Sequence, residues 1–133
     1  MTSEDIRQKI IGCAFKVHNR LGAGFLEKVY ENALKVELTR LDLSVRQQAP
    51  ISVYYEEEIV GEFFADLLVE DRILVELKAV QAIALEHEVQ LVNYLTATGI
   101  ESGLLINFGK SVEIRRKFRD FKQGNPVNPE KSR

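Results

Sequence analysis

The chain has 133 residues, 45% hydrophobic and 29% charged, with a formal net charge of −2, a profile of one soluble globular domain with a real core. That charge argues against a protein that coats nucleic acid through overall positive charge, and no apolar run approaches the ~20 residues of a membrane helix. The acidic start Met1-Thr2-Ser3-Glu4-Asp5 lacks the apolar core of a signal peptide, the single cysteine, Cys13, suits a reducing, cytoplasmic setting, and two histidines are too few for a multi-histidine zinc site.

Ser3 is the expected N-cap of a first helix, with Glu4 and Asp5 in its favourable first turn. The helix runs to about His18 and turns Ile6, Ile10, Cys13, Ala14 and Val17 to one face. Cys13 then reads as packing, and His18, inside the same apolar arc, as a core histidine with a satisfied ring. Leu21-Gly22-Ala23-Gly24 breaks the helix, and a second one spans about Leu26 to Leu41. Strands are expected near 44–48, 51–56, 59–69 and 73–80, with Glu56-Glu57-Glu58 an unfavourable turn sequence. A helix over Leu85–Thr98 is stopped by Gly99, Leu104–Phe108 is a short buried strand, and Gly109-Lys110-Ser111 turns into a last strand, 112–118. The order α-α-β-β-β-β-α-β-β predicts an α/β fold, a mixed central sheet flanked by helices. One domain over 1–122 is expected, with a disordered tail over 123–133, where Asn-Pro-Val-Asn-Pro and a charged end carry no core.

The stretch from Phe63 to Val80 is the most apolar in the chain and reads as two buried strands joined at Glu70-Asp71-Arg72. Alternation puts Glu76 and Lys78 on one face. A three-residue connection pairs Val69 with Ile73 and sets Asp66 opposite Glu76. Cβ atoms so opposed lie about 5 Å apart, and like charges there are destabilising. A divalent cation with a lysine beside it would remove the conflict. A two-residue turn at Asp71-Arg72 would instead shift the register by one and turn Asp66 to the other face.

Other polar residues fall on apolar faces. On the second helix Glu27 lies between Leu34 and Leu38 on the helical wheel, with Tyr30 near, so its carboxylate either is desolvated unless paired or reaches water from the helix edge. Glu37 falls in the same arc. On the third helix His87, Gln90 and Tyr94 line one narrow stripe, the pattern of a lined cleft. Residues 107–122 carry six bases and two acids. Arg115 and Lys117 should share a strand face, with Arg116 opposite. The segment reads either as an edge strand guarded by charge or as a phosphate-contacting patch.

These residues resemble known patterns. Gly24-Phe25-Leu26-Glu27-Lys28-Val29-Tyr30 is similar to the signature that names the GxxExxY proteins. Asp66, nine intervening residues, then Glu76-Leu77-Lys78 resembles the core motif of the PD-(D/E)XK nuclease superfamily. Gln90-Leu91-Val92-Asn93-Tyr94 resembles the QxxxY motif of its RecB-like branch. Ala65 stands where the superfamily's name has proline, a departure that touches backbone and not chemistry. The resemblance implies a restriction-endonuclease-like core in which Glu27, Asp66 and Glu76 hold Mg²⁺ or Mn²⁺ and Lys78 positions or activates the attacking water. It also implies that Gln90 and Tyr94 orient the site or contact the backbone of a nucleic acid, with His87 beside them.

Three functions follow as expectations. The first is a Mg²⁺-dependent nuclease acting on DNA, with RNA as the second substrate. Another is a nuclease-fold module that binds nucleic acid or a protein partner and cuts nothing. The last is a structural, oligomer-forming domain whose acidic cluster is a salt-bridged core.

Overall fold

Five strands form one mixed sheet in the computed structural model, which describes residues 1–119. In chain order the elements are α1 (Ser3–Leu21), α2 (Glu27–Arg40), β1 (Val45–Tyr55), β2 (Glu58–Val69), β3 (Ile73–Lys78), α3 (Leu85–Thr98), β4 (Ser102–Phe108) and β5 (Val112–Phe118). The sheet order is β1-β2-β3-β4-β5. Only β3 and β4 run parallel, and α3 is the crossover that a parallel pair needs. Helices α1 and α2 pack on one face of the sheet through Ile6, Ile10, Leu34 and Leu38. On the other face α3 packs through Leu91, Tyr94 and Leu95. Strands β3 and β4 are covered on both sides, so their residues form near-continuous apolar runs.

Most elements fall where the sequence puts them, and α3 and β5 do so to the residue. Gly99 ends α3 at φ 76°, a left-handed cap that suits glycine. Several expectations are corrected. The cap of α1 is Thr2 and not Ser3: Thr2 Oγ1 accepts from Asp5 N at 3.0 Å and Asp5 Oδ2 accepts from Thr2 N at 2.9 Å. Ser3 would have Ile6 three residues on, which cannot return the bond, whereas Thr2 has Asp5. The helix also runs one turn further, to Leu21.

The two strands expected at 44–48 and 51–56 are one, β1. Pro50 does not break it because β1 is a sheet edge, where a missing N–H costs little. The Glu56-Glu57 turn is a tight two-residue hairpin between paired Tyr55 and Glu58, with φ of 52° and 74° at its two residues. Phe63 and Phe64, expected in a buried strand, are exposed. Strand β3 pairs only with Leu67–Val69 of β2, so the outer β1–β2 ribbon overhangs the sheet without a third strand.

Cys13 is buried among core residues. The His18 ring nitrogen Nε2 is 2.8 Å from the Gly109 carbonyl and its ring stacks on Phe108, so this histidine is structural. The tail expected from 123, and Lys122, lie outside the described residues.

Gly103 shows how tightly the parallel pair is closed. A Cβ there would stand 2.9 Å from the Leu74 carbonyl and 3.2 Å from a Leu91 methyl. Gly103→Ala is expected to destabilise the protein by about 1–3 kcal/mol through overpacking, read as a lower urea midpoint with unchanged slope.

Candidate functional site

The connection after β2 decides the register. It has three residues, and Val69 pairs with Ile73, Leu68 with Leu74 and Leu67 with Val75. Glu70 and Asp71 both take positive φ, a costly choice for residues with side chains. Ser44 compensates: Glu70 N donates to Ser44 O at 2.8 Å, and Ser44 N donates to Glu70 Oε2 at 2.6 Å. With that register, Asp66 arrives beside Glu76. Asp66 N donates to Glu76 Oε2 at 3.0 Å, and Leu77 N donates to Asp66 Oδ2 at 2.8 Å.

Leu68 and Leu74 are a cross-strand pair in the cluster beneath α3. Glu76 and Lys78 follow Leu74 at even spacing and share that face. Asp66 stands where alternation along β2 is interrupted, between Ala65 and Leu67, and is placed at the site by its bonds to Glu76 and Leu77. Glu76 is buried and Lys78 half-buried. The lysine amine makes no hydrogen bond or ion pair among the described residues. Beyond it the strand end is held by Asn107, which accepts from Val80 N and donates to Val80 O, both at 2.9 Å.

Glu27 is the first residue of α2, and the loop before it explains its placement. Gly24 takes φ 106°, which glycine adopts readily and other residues rarely do. The buried Tyr30 ring stacks on Phe108 at 4.6 Å; its hydroxyl donates to Gly22 O at 2.6 Å and accepts from Phe25 N at 3.3 Å. Glycine and tyrosine thus fix the turn from which Glu27 projects. The wheel put Glu27 on the apolar face; in the structure it is exposed, because the first turn of α2 stands clear of the leucines that follow.

The charges of this cluster are coupled. Burial pushes the Glu76 carboxyl up to about 8, followed by repulsion from Asp66; the Asp66 N–H and Lys78 act against the rise. Asp66 is raised first by burial, and Glu31 adds repulsion against the bond from Leu77. Glu27 is raised by burial, opposed by Lys78 and reinforced by Asp66. It stands in solvent, so its rise counts for less than that of buried Glu76.

From α3, Gln90 Nε2 donates to Tyr94 Oη at 2.8 Å. Burial raises the Tyr94 phenol, and the Glu76 and Asp66 charges raise it further, which puts the QxxxY pair in the field of the carboxylates. His87 Nδ1 accepts from Ala84 N at 3.1 Å. The ring caps α3 and also influences Glu27.

Arg115 and Lys117 are not brought to the carboxylates. They lie on edge strand β5 and both reach Glu88 of α3, Lys117 at 2.6 Å and Arg115 at 3.9 Å. Arg116 points to the other face and meets Glu4 at 3.2 Å, so the expected split between faces holds. With both already paired to Glu88, Arg115→Ala/Lys117→Ala is expected to change nucleic-acid affinity by less than about threefold and leave its salt slope unchanged. A slope reduced by about two would assign both to phosphates, and a binding titration over salt concentration decides.

Sequence reasoning missed Glu31, Gln47 and Gln48. Glu31 is buried and accepts from Lys28 Nζ at 3.1 Å, Gln47 Nε2 at 2.8 Å and Gln48 Nε2 at 3.2 Å. Its position one turn after Glu27 was the available signal.

The family model of the PD-(D/E)XK nuclease superfamily matches residues 4–119. The chain belongs to the PD-(D/E)XK nuclease superfamily. Two solved structures share its fold. One is an alkaline exonuclease from Laribacter hongkongensis, 17% identical, with a TM-score of 0.54 over 92% of this chain and 74% of that one. The other, SSO0001, is 14% identical with a TM-score of 0.55 over 73% of this chain. The match takes in 52% of SSO0001, so the chain spans about half of that protein's length. No curated protein matches the sequence.

PD-(D/E)XK nucleases generally use divalent metals, and the donor set here fits one. Carboxylates supply hard oxygens, and the raised carboxyls of Asp66 and Glu76 mark negative charge that a cation would relieve. Among the described residues no three His, Cys, Asp or Glu side chains are drawn together tightly enough to ligate an ion as they stand. None of the described helices is long and apolar enough to cross a membrane.

Proposed function

We propose that this protein is a metal-dependent nuclease that hydrolyses phosphodiester bonds of DNA, with RNA as the second substrate. The observation that carries the proposal is the Asp66–Glu76 pair, joined across β2 and β3 by the Asp66 N–H on Glu76 Oε2 with the Lys78 charge acting on it, and with the Glu76 carboxyl pushed up to about 8.

Glu27, Asp66 and Glu76 would hold Mg²⁺ or Mn²⁺. Such an ion, when bound, lowers the pKa of a water and neutralises charge gathering on the phosphate. Lys78, with no ion-pair partner among the described residues, is available to orient the attacking water or steady the same phosphate charge. The Gln90 amide occupies a lone pair of Tyr94 Oη, which leaves the phenol proton free to donate toward the site. His87 takes the Ala84 N–H on Nδ1, so in its neutral form Nε2 carries the proton and can donate to a phosphate oxygen.

A module that binds nucleic acid without cutting it is the second reading. Its support is that one oxygen each of Asp66 and Glu76 is occupied by a backbone N–H and that no three donors converge among the described residues. The deciding experiment offers single-stranded, duplex and branched DNA, and RNA, to purified protein with Mn²⁺, Mg²⁺ or chelator. Cleavage that chelator stops is expected. Bound Mn²⁺ with no substrate cut would give the second reading the lead.

A further inference from the structure

Gln48 is the one residue within a strand that takes a left-handed backbone among those described, at φ 53°. Its position is opposite Asp66. The β1–β2 ladder pairs Gln47 with Leu67 and Ala49 with Ala65, and the Gln48–Asp66 step between them is left out. The side chains change faces at that step. Before it, Val45, Leu67 and Val69 pack toward α1 and α2; beyond it, Ala49, Ile51 and Ala65 pack toward α3. Regular alternation would keep 45, 47, 49 and 51 on one face. A left-handed residue absorbs the switch, and glutamine carries a steric penalty there that glycine would not. Strain held by a residue with a side chain points to a use for that side chain.

The use is visible in its contacts. Gln48 Nε2 lies 3.2 Å from each oxygen of Glu31 and 3.5 Å from Asp66 Oδ1. Glu31 is only 3% exposed and is itself fixed by Lys28 and by Gln47. Asp66 Oδ2 is taken by Leu77 N. The Asp66 carboxylate is therefore seated between a β3 backbone amide on one oxygen and the Gln48 amide on the other. Glu31 cannot serve as a free ligand, since both its oxygens are occupied; it is the anchor against which Gln48 is braced.

We propose that Gln48, strained in β1 and braced on buried Glu31, is a positioning residue that sets the orientation of the Asp66 carboxylate. The proposal rests on the nuclease reading only in naming the metal as what Asp66 is oriented for. The amide touches no substrate. It limits rotation of Asp66 so that Oδ1 is held at the site while Oδ2 stays on Leu77.

The test uses Gln48→Gly, which accepts the left-handed backbone and removes the amide, beside Gln48→Ala, which removes the amide and keeps the strain. The first readout needs no metal: hydrogen exchange of the Leu77 amide, the donor to Asp66 Oδ2. In Gln48→Gly it is expected to exchange about tenfold faster than in the wild type at matched global stability, while the Val75 amide of the same strand is unchanged. The second readout is Mn²⁺ affinity by calorimetry, expected to fall about 10–100-fold, the usual cost of losing a group that orients a ligand. Gln48→Gly should melt close to the wild type and Gln48→Ala lower, so lost folding is separable from lost positioning. Unchanged Leu77 exchange in Gln48→Gly overturns the proposal whatever the metal does. Faster Leu77 exchange in a protein whose wild type binds no Mn²⁺ upholds the positioning role and sinks the metal reading instead.

Discussion

Glu76→Ala is expected to cleave nucleic acid at least roughly a thousandfold more slowly than the wild type. On the proposed reading each carboxylate that holds the metal would support several kcal/mol of charge stabilisation in the transition state, and about 1.4 kcal/mol is tenfold in rate. Asp66→Ala should match it, because Asp66 is joined to Glu76 across β2 and β3 and the proposed metal needs both carboxylates. Lys78→Ala should lose most activity yet keep its Mn²⁺ affinity, since a lysine does not ligate the ion. Gln90→Ala should be milder and fall mainly in kcat, because its amide acts on Tyr94 and not on the metal. The assay compares initial rates in parallel preparations. Activity that survives in Glu76→Ala belongs to a contaminant, and equal loss of Mn²⁺ binding in Lys78→Ala would contradict the assigned roles.

Stability without metal should fall as pH rises from about 4.5 to 8, and Glu76→Gln should remove much of that fall. The folded-state value of Glu76 is raised, to about 8 from an ordinary 4.5. Between those limits the folded protein holds a proton that the unfolded chain has released, so raising the pH favours unfolding. The stabilisation is complete below the unfolded value and gone above the folded one. Its size is on the order of a few kcal/mol, because each tenfold change in proton affinity is worth about 1.4 kcal/mol. Asp66 is raised in the same sense. Glu4, lowered to about 2 by Gln8 and then Arg7, acts oppositely, but below this window and at an exposed position. Thermal melts of the wild type and Glu76→Gln at pH 4.5, 6 and 8 should coincide at the acid end and diverge at the basic end, with Glu76→Gln the more stable. Mn²⁺ should then raise the wild-type melting temperature most at pH 8, where the carboxylate it needs is ionised and binding the folded state stabilises it. Melts that run parallel across the range would show that Glu76 is not the titrating group.

Much of the site was legible because it rests on local rules. The three-residue Glu70-Asp71-Arg72 connection and a period of two carry Asp66 to Glu76 and keep Lys78 beside them, and both are properties of a short stretch of chain. The same holds for α3, where a period of 3.6 and a stop at Gly99 mark the helix and put His87, Gln90 and Tyr94 in line. The break at Leu21–Gly24 was legible from its glycines, although only the fold shows Tyr30, packed on Phe108, fixing that turn. At Glu27 the wheel left a desolvated and a water-reaching carboxylate both open, and the structure shows some of each: the side chain is exposed at the first turn of α2, yet desolvation still raises its carboxyl.

What the tertiary structure alone decided lies in contacts between segments far apart. The strands expected at 44–48 and 51–56 are one continuous β1 through Pro50 because that strand occupies a sheet edge. The overhang that exposes Phe63 and Phe64 depends on how few residues β3 offers as partners. The bases of β5 read equally as edge protection or as a patch for phosphates, and only the fold shows that Glu88 and Glu4, on two different helices, stand against them. The Glu31–Gln48 brace joins α2 to β1 across 17 residues of chain and needs a left-handed backbone that no local preference of glutamine predicts. The sequence by itself determined the alternation, the periods and the turn length, which are energies of neighbouring residues. Only the folded sheet decided which buried charges meet and which residue is strained to hold them, because those energies exist once the segments have come together.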